Sequence, residues 1–258
     1  MAKTTSVASI GAALAELGQR VLLVDLDPQA CLTFSLGIDP EDVETSVHHV
    51  LTQGIDPREV ILATDDGVDV LPATIELARA EAELLTRTGR EHVLKSTLEQ
   101  LADDLTESGE GAYDWVLLDC PPSLGVLTVA ALTAADGVLV PLQCETLSHR
   151  GVGQLLDTVH DVRRFTNRGL EVWGVLPTLY DGRTTHARTV LETISDTYDL
   201  EVVEPPIPKT IKFAEAPAAG RSILATSRSS KGAQAYRGVA ANLVERSQRP
   251  RRVSPSRR

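Results

Sequence analysis

Lys3, Thr4 and Thr5 stand together at the start of an amphipathic stretch that continues to Leu17. A lysine followed by hydroxyls at a helix N-terminus suits the phosphates of a nucleoside triphosphate. The ammonium supplies a point charge to the β- and γ-phosphates, and the first hydroxyl can ligate a magnesium ion. The helix end adds unpaired N–H groups and their partial positive charge. Two aliphatic runs end in aspartate: VLLVD (Val21–Asp25), continuing as LDPQ through Asp27, and WVLLD (Trp115–Asp119), continuing as CPPS. A carboxylate at the carboxyl end of a buried strand faces the crevice where open α/β sheets bind ligands, and there it can hold a metal-bound or attacking water. Taken singly these are weak signals, because KTT recurs by chance and an Asp after a strand is equally a turn former or helix cap. Their order along the chain gives them weight.

Such residues need a scaffold of strands and helices to bring them together. Val21–Asp25, Val68–Pro72, Trp115–Asp119, Gly137–Leu142 and Val172–Leu179 read as buried strands, being short aliphatic runs bounded by turn residues. Between them Thr4–Leu17, Ile75–Leu85, Glu91–Leu105, Val126–Ala134, Gly153–Arg164 and Thr185–Tyr198 carry helical periodicity. The alternation predicts an α/β fold, doubly wound, with a mainly parallel sheet and helices on both faces. Aromatics at 3% leave the core to Leu, Val, Ile and Ala, as buried parallel strands require. One feature departs from that plan: the first element is a helix with no strand to feed it.

In this order the motifs resemble the deviant Walker-A P-loop ATPases of the ParA, Soj and MinD family, on the ParA-like branch. The family pattern is KGGVGKTT or KGGVAKTT, then VLLVDxDPQ, then a DxPP segment. Here the matching segments are AKTTS, VLLVDLDPQ and WVLLDCPPS, followed by VPLQCETLSHRGVGQLL, GVLPTLYDGRTTHAR, PPIPKTIKFAEAPAAGRSI and SKGAQAYRGVA. The likeness spans Met1 to about Val244. It implies a P-loop NTPase fold that binds ATP and Mg²⁺. By position it implies that Met1, Ala2, Lys3, Thr4, Thr5 and Pro208 bind ATP, and that Thr4, Asp25 and Asp119 surround the metal. It further makes Lys3 and Asp27 catalytic, Asp27 by positioning the attacking water. The family's glycines and its earlier lysine have no counterpart before Lys3. The expectation is therefore of an inactive chain lacking the first strand and the start of the P-loop. Two explanations compete, a degenerate protein that has lost ATP binding and, the favoured one, a GTG valine codon within the motif read as the start; two sheet edges should be left unpaired.

The resemblance implies a switch that dimerises with ATP, binds non-specific DNA and is stimulated by a ParB-like partner, acting in chromosome or plasmid partitioning. Lys209, Lys212, Arg221, Arg228 and Lys231 are the candidates for phosphate contacts, although each is equally an ordinary surface charge. The formal charge of −11 excludes a protein coated in nucleic acid, so affinity must come from local patches. Residues 1–245 are expected to form one ATPase domain, and 246–258 (RSQRPRRVSPSRR), with six arginines and no acid, a disordered tail. No run approaches the ~20 apolar residues of a membrane span, and three cysteines without paired spacing suit a reducing cytoplasm, while the resemblance implies association with the nucleoid. Alternatives are a MinD-like membrane-positioning ATPase, a non-catalytic scaffold and, last, an iron–sulfur reductase. The tail, with Pro250, Pro255 and Val253 as its one aliphatic residue, offers no apolar face to a membrane.

Overall fold

A computed structural model of the protein describes residues 2–145 and 148–248. The chain opens with helix α1 (Ala2–Glu16) and strand β1 (Val21–Asp25), then short helices α2 (Cys31–Ser35) and α3 (Val47–Gln53). A hairpin of β2 (Leu62–Ala63) and β3 (Asp69–Leu71) follows, with α4 (Leu77–Leu85), α5 (Val93–Glu107), β4 (Trp115–Asp119), α6 (Val126–Ala134) and β5 (Gly137–Gln143) after it. The carboxyl half holds α7 (Ser148–Phe165), β6 (Glu171–Thr178), α8 (Thr185–Tyr198), α9 (Lys212–Ala218), α10 (Ile223–Thr226) and α11 (Lys231–Ser247).

All five residues of β1 are buried, and their alternation feeds two cores. Val21 and Leu23 pack with α1 and with Tyr236 and Val239 of α11 on one face. Leu22 and Val24 pack with Leu51, Leu77, Leu94 and Leu127 of the helices on the other. Helices thus cover both faces, as continuous aliphatic strands demand. Gly11 lets α1 lie close against the sheet, since a Cβ there would come within 2.7 Å of Leu23 Cδ2. On the outer side of α1, Ser6 Oγ and the Tyr236 hydroxyl meet at 3.0 Å and tie α11 down. Gly37 and Gly220, both at positive φ, pack backbone to backbone and bring the loop after α2 against the end of α9.

The sheet is mainly parallel and shows the two unpaired edges that were expected. Strands run in the order β2-β3-β1-β4, with β3, β1 and β4 parallel and β2 antiparallel at the edge, while β5 and β6 form a separate parallel pair. A cavity of about 1210 Å³ lies between β4 and β5, so the mainly parallel sheet is divided in two. The carboxyl end does need correction. Arg246 belongs to the last turn of α11, where Nη1 donates to Trp173 O and Glu201 Oε2, both at 2.9 Å. A guanidinium that bonds two neighbours is part of the packed body; residues 249–258 lie outside the described ones. No helix among the described residues is long and apolar enough to cross a membrane.

Candidate nucleotide-binding site

The site collects where β1 and β4 end. These strands run parallel and in register, Val21 beside Trp115 through Asp25 beside Asp119, so the two terminal aspartates lie at one height on adjacent strands. Leu26 N donates to Asp119 O at 2.9 Å, carrying the pairing one residue into the loop that holds Asp27. That loop closes as a tight turn: Asp27 Oδ1 accepts from Gln29 N at 3.0 Å, and Ala30 adopts a left-handed conformation before α2. Across the strand ends stands the start of α1. The Lys3 ammonium donates to Pro121 O at 3.1 Å, docking the lysine on the loop that follows Asp119.

The two buried carboxylates have different surroundings. Asp25 accepts from Asp27 N at 3.1 Å, from Thr33 N at 2.9 Å and from Thr33 Oγ1 at 2.8 Å. The Thr33 hydroxyl in turn accepts from Ala73 N at 3.0 Å. This chain of bonds fastens β1 to α2 and to the end of β3. Burial pushes Asp25 up to about 6, with the Thr33 bonds opposing. With three of its acceptor positions filled, Asp25 anchors β1 to α2, and Oδ1, which takes a single bond, keeps acceptor capacity on the side of the expected metal.

Asp119 is fully buried, yet neither oxygen accepts a hydrogen bond of ordinary geometry. Burial pushes it up to about 7, with the Asp25 and Asp27 charges adding to the rise and the nearby Thr4 hydroxyl and Lys3 ammonium pulling it back. An orphaned buried carboxylate costs free energy unless something meets it. A hydrated divalent cation beside Asp119 and the Thr4 hydroxyl would do so, because hard cations take oxygen ligands. The residues present therefore fit Mg²⁺.

The comparisons agree with this geometry. A family profile described as an AAA domain matches residues 1–172. Over 243 residues the chain is 42% identical to the sporulation initiation inhibitor protein Soj of Bacillus subtilis (strain 168), covering 94% of this chain and 93% of Soj. The chain belongs to the ParA/Soj family of P-loop ATPases. Chromosome partitioning protein ParA of Caulobacter vibrioides is 38% identical over 245 residues, 95% of this chain and 90% of that one. A solved structure described as cobyrinic acid a,c-diamide synthase from Mycobacterium smegmatis is 54% identical with a TM-score of 0.84, covering 96% of this chain and 91% of the other. That relative has also been solved with ADP and magnesium and with an ATP analogue and magnesium.

Within this ParA/Soj frame the expected residues divide. Lys3, Thr4, Asp27 and Asp119 come together at the strand ends. Thr5 follows in the first turn of α1, and Met1 lies outside the described residues. Ala2 is the first residue of α1. Pro208 bridges Tyr180 in the loop beyond β6. The basic candidates are less uniform. Arg221 Nε bonds Asp66 at 2.6 Å and its guanidinium also reaches Asp65, and Lys212 Nζ bonds Glu215 at 2.8 Å, so both are committed to acids. Lys209, Arg228 and Lys231 are exposed. Sequence reasoning missed Thr33, whose hydroxyl joins Asp25 to Ala73; only the spacing of eight residues from the aspartate hinted at it.

Proposed function

We propose that the chain acts as an ATP-dependent dimerising switch of the ParA type, holding a surface of non-specific DNA in its nucleotide-bound form and releasing it on slow hydrolysis. The observation that carries this reading is the unsatisfied, buried Asp119 beside Thr4, with Lys3 docked on the loop immediately after it. Mg²⁺ would supply a Lewis acid at the β- and γ-phosphates. Thr4 would offer its hydroxyl to the metal, and Asp119 would accept from the metal's water. Lys3 would leave Pro121 O for the phosphates, freeing the 121–125 loop to change shape with the nucleotide. Asp27, half-exposed on its turn, would orient the attacking water. Met1, Ala2 and Thr5 would complete the phosphate contacts and Pro208 would border the base. The dimer would present each basic patch twice on one face, raising DNA affinity through effective concentration. Lys209, Arg228 and Lys231 would make the phosphate contacts, with the arginines of the tail adding to them and a ParB-like partner stimulating turnover in the cytoplasm.

The test, on a chain extended with Lys-Gly-Gly ahead of Met1, is fluorescence anisotropy of a duplex of arbitrary sequence, with ATP or ADP and Mg²⁺, at several salt concentrations. Binding with ATP, weak binding with ADP and a steep fall with salt are expected, because phosphate contacts release counterions. No ATP-dependent DNA binding at low salt would sink the reading, and ATP-dependent binding to anionic liposomes would move it to membrane positioning. A second reading rests on the 54% identical relative being described as cobyrinic acid a,c-diamide synthase. ATP turnover that responds to cobyrinic acid and an amide donor, and not to DNA, would favour it.

A further inference from the structure

The loop that carries Pro121 ends against a carboxylate oxygen that bonds nothing. Glu81, in the middle of α4, places Oε1 against Gly125, the residue that caps α6, so closely that any Cβ there would overlap it. This oxygen is buried and has no hydrogen-bond partner. Beside it is the converse lack. Gly125 gives α6 no side-chain cap, and among the described residues no backbone N–H of residues 123–128 finds a protein acceptor. A buried acceptor thus stands against a run of idle donors without joining any of them. Buried polar groups are nearly always paired, and a charged acceptor left alone is the more costly case.

Two bonds hold the loop in that arrangement. Lys3 Nζ donates to Pro121 O at 3.1 Å, and the Thr128 hydroxyl donates to Ser123 O at 2.6 Å. Pro121 and Pro122 have no N–H, so a rearranged loop offers donors near α6 only from Ser123 onward, at the end where Glu81 stands. At the other end Asp119 is also a buried carboxylate without a partner. With Lys3 on Pro121, both ends of the loop are therefore left unsatisfied. We propose that Glu81 is a positioning residue for the ATPase reaction: its carboxylate accepts a backbone N–H of residues 123–126 in the shape the loop takes once Lys3 has moved to the phosphates. This rests on the reading that Lys3 exchanges Pro121 O for the nucleotide. The new bond replaces the one that Pro121 loses, so the loop changes shape at little net cost. A contact made in one of two states shifts the equilibrium toward that state, and here it favours the nucleotide-bound one. Glu81 acts through the loop and not on the reacting atoms.

The test compares wild type, Glu81→Gln and Glu81→Ala in the chain extended with Lys-Gly-Gly ahead of Met1, with and without ATPγS and Mg²⁺. In the wild type ATPγS should slow amide exchange across residues 123–128. Glu81→Ala should lose that slowing. It should also bind ATPγS about tenfold or more weakly in titration calorimetry, the worth of a hydrogen bond to a charged acceptor. Glu81→Gln keeps the shape and an acceptor oxygen without the charge, and should fall between the two. Without nucleotide Glu81→Gln should melt no lower than wild type, because the oxygen it replaces bonds nothing. That measurement separates positioning from support. A Gln variant that melts well below wild type without nucleotide would make Glu81 an ordinary cap of α6 and overturn the inference. Variants that bind ATPγS with wild-type affinity would overturn it too, as would a wild type that binds ATPγS with no change in exchange across the loop. A wild type that binds no ATPγS would instead sink the ATPase reading, and the inference with it.

Discussion

Replacing Asp119 by Asn should stabilise the nucleotide-free protein at pH above about 7, an unusual result for a buried charged residue at a site. In the folded state burial holds this carboxyl at about 7, against an ordinary value of 3.8. A group raised in this way binds its proton more tightly when folded. Stability is therefore highest below the ordinary value and falls as pH rises toward the folded one. The difference of roughly three pH units, at about 1.4 kcal/mol each, makes the charge cost about 4 kcal/mol above pH 7. Asn removes the charge but leaves a buried amide with unfilled bonds, returning about 1–3 kcal/mol of that cost. The net gain is roughly 1–3 kcal/mol, or about 5 °C in Tm for a chain of this size. Thermal unfolding followed by circular dichroism between about pH 4 and 8 reads it. The variant should melt higher at the alkaline end and lose its advantage toward the acid end, where wild-type Asp119 is neutral. Adding Mg²⁺ with ATP should stabilise the wild type and leave the variant unmoved. A wild type as stable as the variant at pH 8 without metal, or a gap independent of pH, would refute the reasoning.

Other expectations follow from the same geometry. In a chain extended with Lys-Gly-Gly ahead of Met1, Asp27→Ala should retain ATP affinity and lose hydrolysis by about a hundredfold, measured as phosphate release, because a water-orienting group acts in the transition state. In the same background Lys3→Ala should weaken ATP binding itself in titration calorimetry; undiminished affinity would remove Lys3 from the phosphates. Gly220→Ala should lower stability by about 1–3 kcal/mol in urea unfolding, since φ is +63° there and the new Cβ would sit 2.7 Å from the Gly37 Cα. Asp66→Ala should cost about 2–3 kcal/mol, because its carboxylate, 2% exposed, accepts from Arg221 Nε at 2.6 Å and from Ser222 N at 2.5 Å. A change under about 0.5 kcal/mol, usual for a surface position, would place the Arg221 bond among ordinary surface pairs.

Much of the frame was legible beforehand because it depends on local pattern. The bounds of Val126–Ala134 and Thr185–Tyr198 match their helices residue for residue, and each aliphatic run became a strand. The motif order likewise led to Lys3, Thr4, Asp27 and Asp119 as one site. Short elements escaped: α2, α3 and the two-residue β2 have too few residues for periodicity to register. Helix α11 escaped because SKGAQAYRGVA invited comparison by motif and hid a helical face built on Ala, Gly and Tyr236.

What the sequence determined by itself was element type and family, since both follow from residue order and side-chain chemistry. The tertiary structure alone decided how each charge is treated. Asp25 and Asp119 end similar strands, but Thr33 arrives beside one while the other accepts no hydrogen bond of ordinary geometry, a difference that only contact reveals. Arg221 and Arg246 were cations in a list until folding set Asp66 beside the first and Trp173 and Glu201 beside the second. That two sheet edges would stand unpaired was expected from the motif order, but that they belong to β4 and β5 was decided by packing, because no local pattern in either strand records who lies beside it.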